Sequence, residues 1–143
     1  MISSFEEQLE LCGRLVYYNV GDSMMPLLKE NRDLMVLEKP PRAVRKYDAV
    51  LYKRENGQYV MHRIIGERED GFVLCGDNRF CKEYGVKREQ VLALLTAVVC
   101  NGKEIRYDSF LYKLYVHLWC DLFFIRALIL RIIFHIKFSK RNK

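Results

Sequence analysis

The sequence contains no internal repeat and no Ser/Gly-rich linker, which excludes a solenoid and a string of loosely tethered modules. Its five cysteines, Cys12, Cys75, Cys81, Cys100 and Cys120, lack metal-ligand spacing. An odd, unpatterned set of this kind reads as reduced thiols serving as small buried hydrophobes in a cytosol-facing protein. No metal or cofactor is expected. The amino terminus, MISSFEEQLELCGRL, has neither a basic leading stretch nor an uninterrupted apolar run, so neither a cleavable signal nor a membrane anchor is expected there. Most of the chain also lacks net charge: residues 1–109 hold 17 Lys/Arg against 17 Asp/Glu. The formal +6 resides in residues 110–143, where seven positive side chains face only Asp121. No helix-turn-helix or aromatic stacking pattern accompanies that charge, so nucleic acid is not an expected partner.

Half the residues are hydrophobic, charges are well mixed through most of the length, and 143 residues suffice for one domain with a core and a short appendage. Residues 1–19 read as a helix and a lead-in strand. Ser3 with Glu6, and Ser4 with Glu7, have capping-box spacing, and Phe5, Leu9 and Cys12 share a helical face expected to rest on the body. Residues 20–109 change to short apolar runs broken by turn residues, at Leu34–Leu37, Ala49–Tyr52, Tyr59–Ile65, Phe72–Cys75 and Val91–Val99. That is a mainly β pattern. Asn56-Gly57 and Asn101-Gly102 each suit a two-residue type I′ hairpin; a tight first turn would set Leu51 opposite His62. The strand period puts Val60, His62 and Ile64 on one face and Met61, Arg63 and Ile65 on the other.

Residues 110–143 begin with a stretch, 110–138, that has no Gly or Pro and predicts one long helix. Lys113, Asp121, Arg126, Arg131 and Lys137 interrupt its apolar residues, and each charge at a bilayer centre costs about 2.5–3.5 kcal/mol, which disfavours a spanning helix. The expected partner is the surface of an anionic membrane, with core packing or self-association as the alternative. His117 and His135 are too far apart for a metal site and read as interfacial polar groups. The basic SKRNK end favours the cytoplasmic side of a membrane, a soluble cytoplasmic protein being the other expectation.

Chemistry concentrates in three blocks. Gly21-Asp22-Ser23-Met24-Met25-Pro26-Leu27-Leu28 can present the Ser23 hydroxyl on a turn while Met24 and the leucines anchor it from below. Val60-Met61-His62-Arg63-Ile64-Ile65 puts the β region's one histidine in mid-strand, and Cys75-Gly76-Asp77-Asn78-Arg79 ends a strand in a turn. Singly, these are an ordinary loop serine, a satisfied core histidine and a self-capping aspartate. Together, serine, histidine and acid are what nucleophilic acyl transfer requires: a weak nucleophile, a base of near-neutral pKa and a group that orients the base. Tyr17, Tyr18, Tyr47, Tyr52 and Tyr59 read as strand residues with wet hydroxyls.

In these blocks the sequence resembles the type I signal peptidase family, within the clan that also holds the self-cleaving SOS-response repressors. GDSMMPLL is similar to the family's serine box, NRDLMVLEK and RKYDAVLYK to its two strands, VMHRII to its general-base box and GDNRF to its Gly-Asp-Asn box. The resemblance implies a coiled signal-peptidase-like β-fold and a serine endopeptidase that removes a leader or signal segment from a peptide or protein, cutting after small residues. It implies Ser23 as nucleophile and His62 as base, as in the histidine-type relatives rather than the lysine-type bacterial enzymes. Asp77 comes with the resemblance as a functional acid, and Glu83 stands near a second acid of the histidine-type relatives. Either one is expected to orient His62. Gly21 replaces the serine that many members use as an oxyanion donor, and the family's amino-terminal anchor has no counterpart here. A catalytically silent scaffold that binds an extended peptide in the same groove is the reading from another class.

Overall fold

The computed structural model describes residues 4–141. Helix α1 spans Phe5–Cys12 and carries the Ser4–Glu7 capping box, closed at Gly13 in the left-handed region; Ser3 lies outside the described residues. Leu9 is buried, and the Phe5 ring rests between Tyr17 and Tyr59, as the amphipathic spacing requires.

The strands are β1 (Arg14–Tyr18), β2 (Leu34–Glu38), β3 (Ala49–Lys53), β4 (Tyr59–Arg68), β5 (Gly71–Cys75), β6 (Glu83–Val86), β7 (Val91–Cys100) and β8 (Lys103–Arg106). All the pairings are antiparallel, in the order β1-β2-β7-β3-β4-β5-β6. The long β7 pairs with β2 along one edge and shares its other edge between β3 and β8. Register shifts interrupt the β2–β7, β3–β7 and β4–β5 ladders, as β-bulges do. Alternating residues feed two cores: Leu51, Met61 and Leu95 belong to one, Val50, Tyr52, Ile64 and Leu94 to the other. The chain is thus mainly β, with a short N-terminal helix and helices at its C-terminal end.

The two Asn-Gly pairs behave differently. Asn101 and Gly102 both take positive φ, 49° and 74°, and close the expected two-residue turn between Cys100 and Lys103. At the first pair only Gly57 is positive, at 86°, and Arg54 and Gln58 bond across a three-residue loop. A type I′ turn needs both residues left-handed, so the register moves by one. Val50, not Leu51, stands opposite His62.

The single long C-terminal helix is also corrected. It breaks at Leu122 (φ −93°, ψ 36°) into α2 (Phe110–Asp121), capped by Ser109, and α3 (Phe123–Arg141). Helix α2 is part of the domain, because Tyr112, Val116 and Cys120 enter the same core as Leu51 and Met61. Arg126 and Leu130, one turn apart on α3, are buried as well. Among the described residues no helix is long and apolar enough to cross a membrane. All five cysteines are free thiols; Cys75 and Cys120 are buried as expected, whereas Cys12 and Cys81 are exposed.

Candidate active site

Three segments meet where the chemistry-bearing blocks were read. The serine turn follows β1: Gly21 has φ +85°, which only glycine takes without strain, and Met24 and Leu28 are fully buried beneath it. The anchoring expected of Met24 and the leucines is found. Strand β4 supplies His62. Its pairing with β5, Arg63 opposite Cys75, brings His62 level with Gly76, the first residue after that strand.

Gly76 is the point of closest approach. A Cβ placed there would lie 2.6 Å from the Ser23 carbonyl oxygen and 3.2 Å from His62 Cδ2, so glycine is required by space rather than by φ. Its neighbours stitch the two turns together. The Asn78 N–H donates to the Ser23 carbonyl (2.8 Å), Asn78 Nδ2 to the Asp22 carbonyl (3.0 Å) and Arg79 Nη2 to Asp22 Oδ1 (2.6 Å). That last bond holds the Asp22 carboxyl below its ordinary value. Ser23 and His62 both line a cavity of about 600 Å³ whose walls include Tyr17, Tyr59, Met61 and Arg79. Among the described residues no hydrogen bond links the Ser23 hydroxyl to the imidazole.

Neither expected acid touches His62 directly. Tyr52 intervenes: its hydroxyl donates to Glu83 Oε2 (2.6 Å) and lies 3.3 Å from His62 Nδ1. With its own proton committed to Glu83, the hydroxyl can only accept from the ring. That assigns the proton to Nδ1 and leaves the Nε2 lone pair free. Arg54 grips both Glu83 oxygens, at 2.9 and 2.7 Å. Burial works to raise the Glu83 pKa, but the hydrogen bonds from Arg54 and Tyr52 outweigh it and hold the carboxyl below its ordinary value. Burial, with the Glu83 hydrogen bond next, raises the Tyr52 phenol and keeps it protonated. His62 is drawn from 6.5 down to about 4, chiefly by burial, with Glu83 opposing and Arg54 and Arg79 adding to the fall. At neutral pH the imidazole is therefore uncharged, the form a general base must start from.

Asp77 does something else. It is fully buried and accepts from Arg63 through two bonds (2.8 and 2.7 Å) and from the Tyr115 hydroxyl (2.9 Å). The Arg63 side chain is fully buried too, with Nη1 on the Tyr47 carbonyl (2.8 Å) and the Tyr112 ring nearby. With its carboxylate spent on these donors, Asp77 holds the turn and makes no hydrogen bond to His62, whereas Glu83 reaches the ring by way of the Tyr52 hydroxyl. The C-terminal helices grip the same turn from outside. Trp119 Nε1 donates to the Asp77 carbonyl and Arg126 Nη2 to the Arg79 carbonyl, each at 2.6 Å. Among the described residues Arg126 Nε and Nη1 are buried without a hydrogen-bond partner, and the guanidinium lies 4.6 Å from the Phe123 ring.

Tyr52, Arg54, Arg63, Trp119 and Arg126 join the site without having been expected there, whereas Gly76 belongs to the Gly-Asp-Asn turn singled out in the sequence. The tyrosines read as wet are mostly committed: Tyr52 as above, Tyr47 to Asp121, Tyr59 to Glu6 and Tyr17 to Gln8. The expected register, Leu51 opposite His62, would have turned Tyr52 to the other face; only the observed pairing of Val50 with His62 puts Val50 and Tyr52 on the imidazole's side of the sheet. No family model, curated protein or solved structure matches the chain. The resemblance to signal peptidases accordingly rests on the motifs.

Proposed function

We propose that the chain is a serine endopeptidase of the signal-peptidase type, removing a leader or signal segment from a peptide or protein substrate. The supporting observation is the junction at Gly76, where the Ser23 backbone and the His62 ring meet across a residue with no side chain, while the far nitrogen of the ring is tied through Tyr52 to Glu83.

In the proposed cycle His62 Nε2 takes the Ser23 Oγ proton as Oγ bonds to the scissile carbonyl carbon. The tetrahedral intermediate expels the amine, which leaves with the proton from Nε2, and an ester remains on Ser23. Water, deprotonated by the same nitrogen, then hydrolyses the ester and restores the hydroxyl. Each half-cycle passes through an imidazolium whose charge Glu83 offsets by way of the Tyr52 hydroxyl. The Ser23 N–H, which donates to no other group among the described residues, is the proposed oxyanion donor. A coiled signal-peptidase-like β-fold is the fold reading that accompanies this assignment.

The unmade bond between Ser23 and His62 favours a second reading, a silent scaffold that holds an extended peptide in the same cavity. A fluorophosphonate probe separates the two. Labelling of the wild-type chain that disappears in Ser23→Ala supports the peptidase; absence of labelling, or labelling that survives the substitution, overturns it. His62→Ala is expected to lower peptide turnover at neutral pH by about 10²-fold or more, and near-normal turnover would reject the base.

A further inference from the structure

The outward faces of α2 and α3 have no protein to cover them. On α3, Phe124, Leu128 and Ile132 form one row and Ile125, Ile129 and Ile133 the next, at the four-residue spacing of a helix face. Phe124 is 85% exposed and Leu128 60%, while Arg126 and Leu130 on the opposite face are buried. From Arg131 to Lys140 every residue is exposed. Helix α2 repeats the arrangement with Leu111, Leu114 and Leu118 exposed, and Tyr112, Val116 and Cys120 buried.

The charge beside these rows has one effective sign. Lys113, Arg131, Lys137 and Lys140 are exposed. The lone acid, Asp121, is occupied by the Tyr47 hydroxyl (2.6 Å) and by His117 Nδ1 (3.1 Å). At the root of α2 a cavity of about 520 Å³ lies between the helix and the segment preceding β3, with Arg45, Lys46, Lys113 and His117 in its wall. The two acids there are already paired, Asp48 with Arg42 and Asp108 with Arg106. Arg45 and Lys113 have no ion-pair partner among the described residues.

We propose that the outward faces of α2 and α3 dock on the surface of an anionic lipid bilayer, the helices lying in its plane with the apolar rows in the acyl boundary and the cations against headgroup phosphates. A second copy of the chain would cover apolar rows equally well, but it would bring the same cations into opposition. A lipid phosphate neutralises them. Arg126, which would penalise insertion if it faced lipid, is withdrawn into the protein and leaves the outer face of α3 free to enter. The inference does not depend on the peptidase reading.

The test is co-sedimentation of the full chain with vesicles of phosphatidylcholine alone or mixed with phosphatidylglycerol, together with sedimentation equilibrium in the absence of lipid. The wild-type chain is expected to bind the mixed vesicles at least about tenfold more tightly than the neutral ones, and to lose that preference in high salt. Phe124→Ser with Leu128→Ser and Ile132→Ser, all at exposed positions, should abolish binding without moving the thermal midpoint. Arg131→Glu with Lys140→Glu should remove only the preference for phosphatidylglycerol. Wild-type protein that stays in the supernatant with both vesicles overturns the proposal, as does a triple variant that binds normally. A lipid-free dimer that the triple substitution dissociates, with no vesicle binding by the wild type, assigns the face to a second copy and also overturns it. Fluorophosphonate labelling of the triple variant in solution reads the active site separately, so loss of docking and loss of peptidase chemistry are distinguishable.

Discussion

Two arginine–carboxylate pairs flank β4, and they differ in depth. Arg63 and Asp77 are wholly buried, and their carboxylate is saturated by Tyr115 as well. Arg54 and Glu83 keep side-chain exposures of 33% and 28%, and their carboxylate reaches outward through Tyr52 to the imidazole. Residues 62 and 63 point to opposite sides of the strand, so one face receives the pair that fixes the architecture and the other the pair whose carboxylate reaches the imidazole. The contrast teaches that proximity in sequence to a candidate base says little about which acid serves it; strand parity decides.

The largest expected effect breaks the deep pair. Asp77→Ala leaves Arg63 buried without a counter-charge and should cost about 3–5 kcal/mol of stability, read from urea denaturation. The equivalent change at the shallow pair, Glu83→Ala, should cost far less, and equal losses would refute the division of roles. Next in size is Gly76→Ala, whose methyl would meet the Ser23 carbonyl at 2.6 Å. It should destabilise by about 1–3 kcal/mol and depress turnover further than its stability loss explains, because it drives the serine turn from the histidine. Normal turnover in a folded Gly76→Ala chain would show that the contact does not position the nucleophile.

Tyr52→Phe sharpens the contrast on the shallow side. It removes the acceptor for the His62 Nδ1 proton and should lower turnover by about tenfold, the kinetic equivalent of one hydrogen bond. Nitrogen NMR of the imidazole should show a mixture of tautomers where the wild type has one. The smallest effect concerns pH. With His62 drawn down to about 4, the base stays unprotonated on acidification, so turnover at pH 5 should remain within about twofold of that at pH 7 and fall only near pH 4. Stability follows the sign of the shift. As pH drops through 6.5 the unfolded chain takes up a proton that folded His62 refuses until about 4, so the stability this group contributes is intact above 6.5 and is lost across that window. An activity limb near 6.5 would show a solvated imidazole.

Much of the sheet was legible because it obeys period and turn chemistry. The runs at β2, β3, β4, β5 and β7 and the Asn101-Gly102 hairpin stand where alternation and left-handed preference put them. The first hairpin slipped by one residue because Asn56 does not take the positive φ that Gly57 accepts, so the loop holds three residues rather than two. Strand β6, Glu-Tyr-Gly-Val, is too short and too interrupted by Gly85 to show a period. Ser23, His62, Asp77 and Glu83 were all chosen from sequence, yet the wiring among them was not. Charged side chains read as surface, so burial of Arg63 and Arg126 left no trace, and a tyrosine's hydroxyl gives no sign of whether it meets water or a carboxylate.

Arg126 ties these regions mechanically. Its guanidinium holds the Arg79 carbonyl, the Arg79 side chain holds Asp22, and Asp22 precedes Ser23. A load applied along the tail helix is thus delivered to the hydroxyl-bearing turn through two hydrogen bonds, and a chain shortened at Ser109 would lose the lever along with the greasy surface.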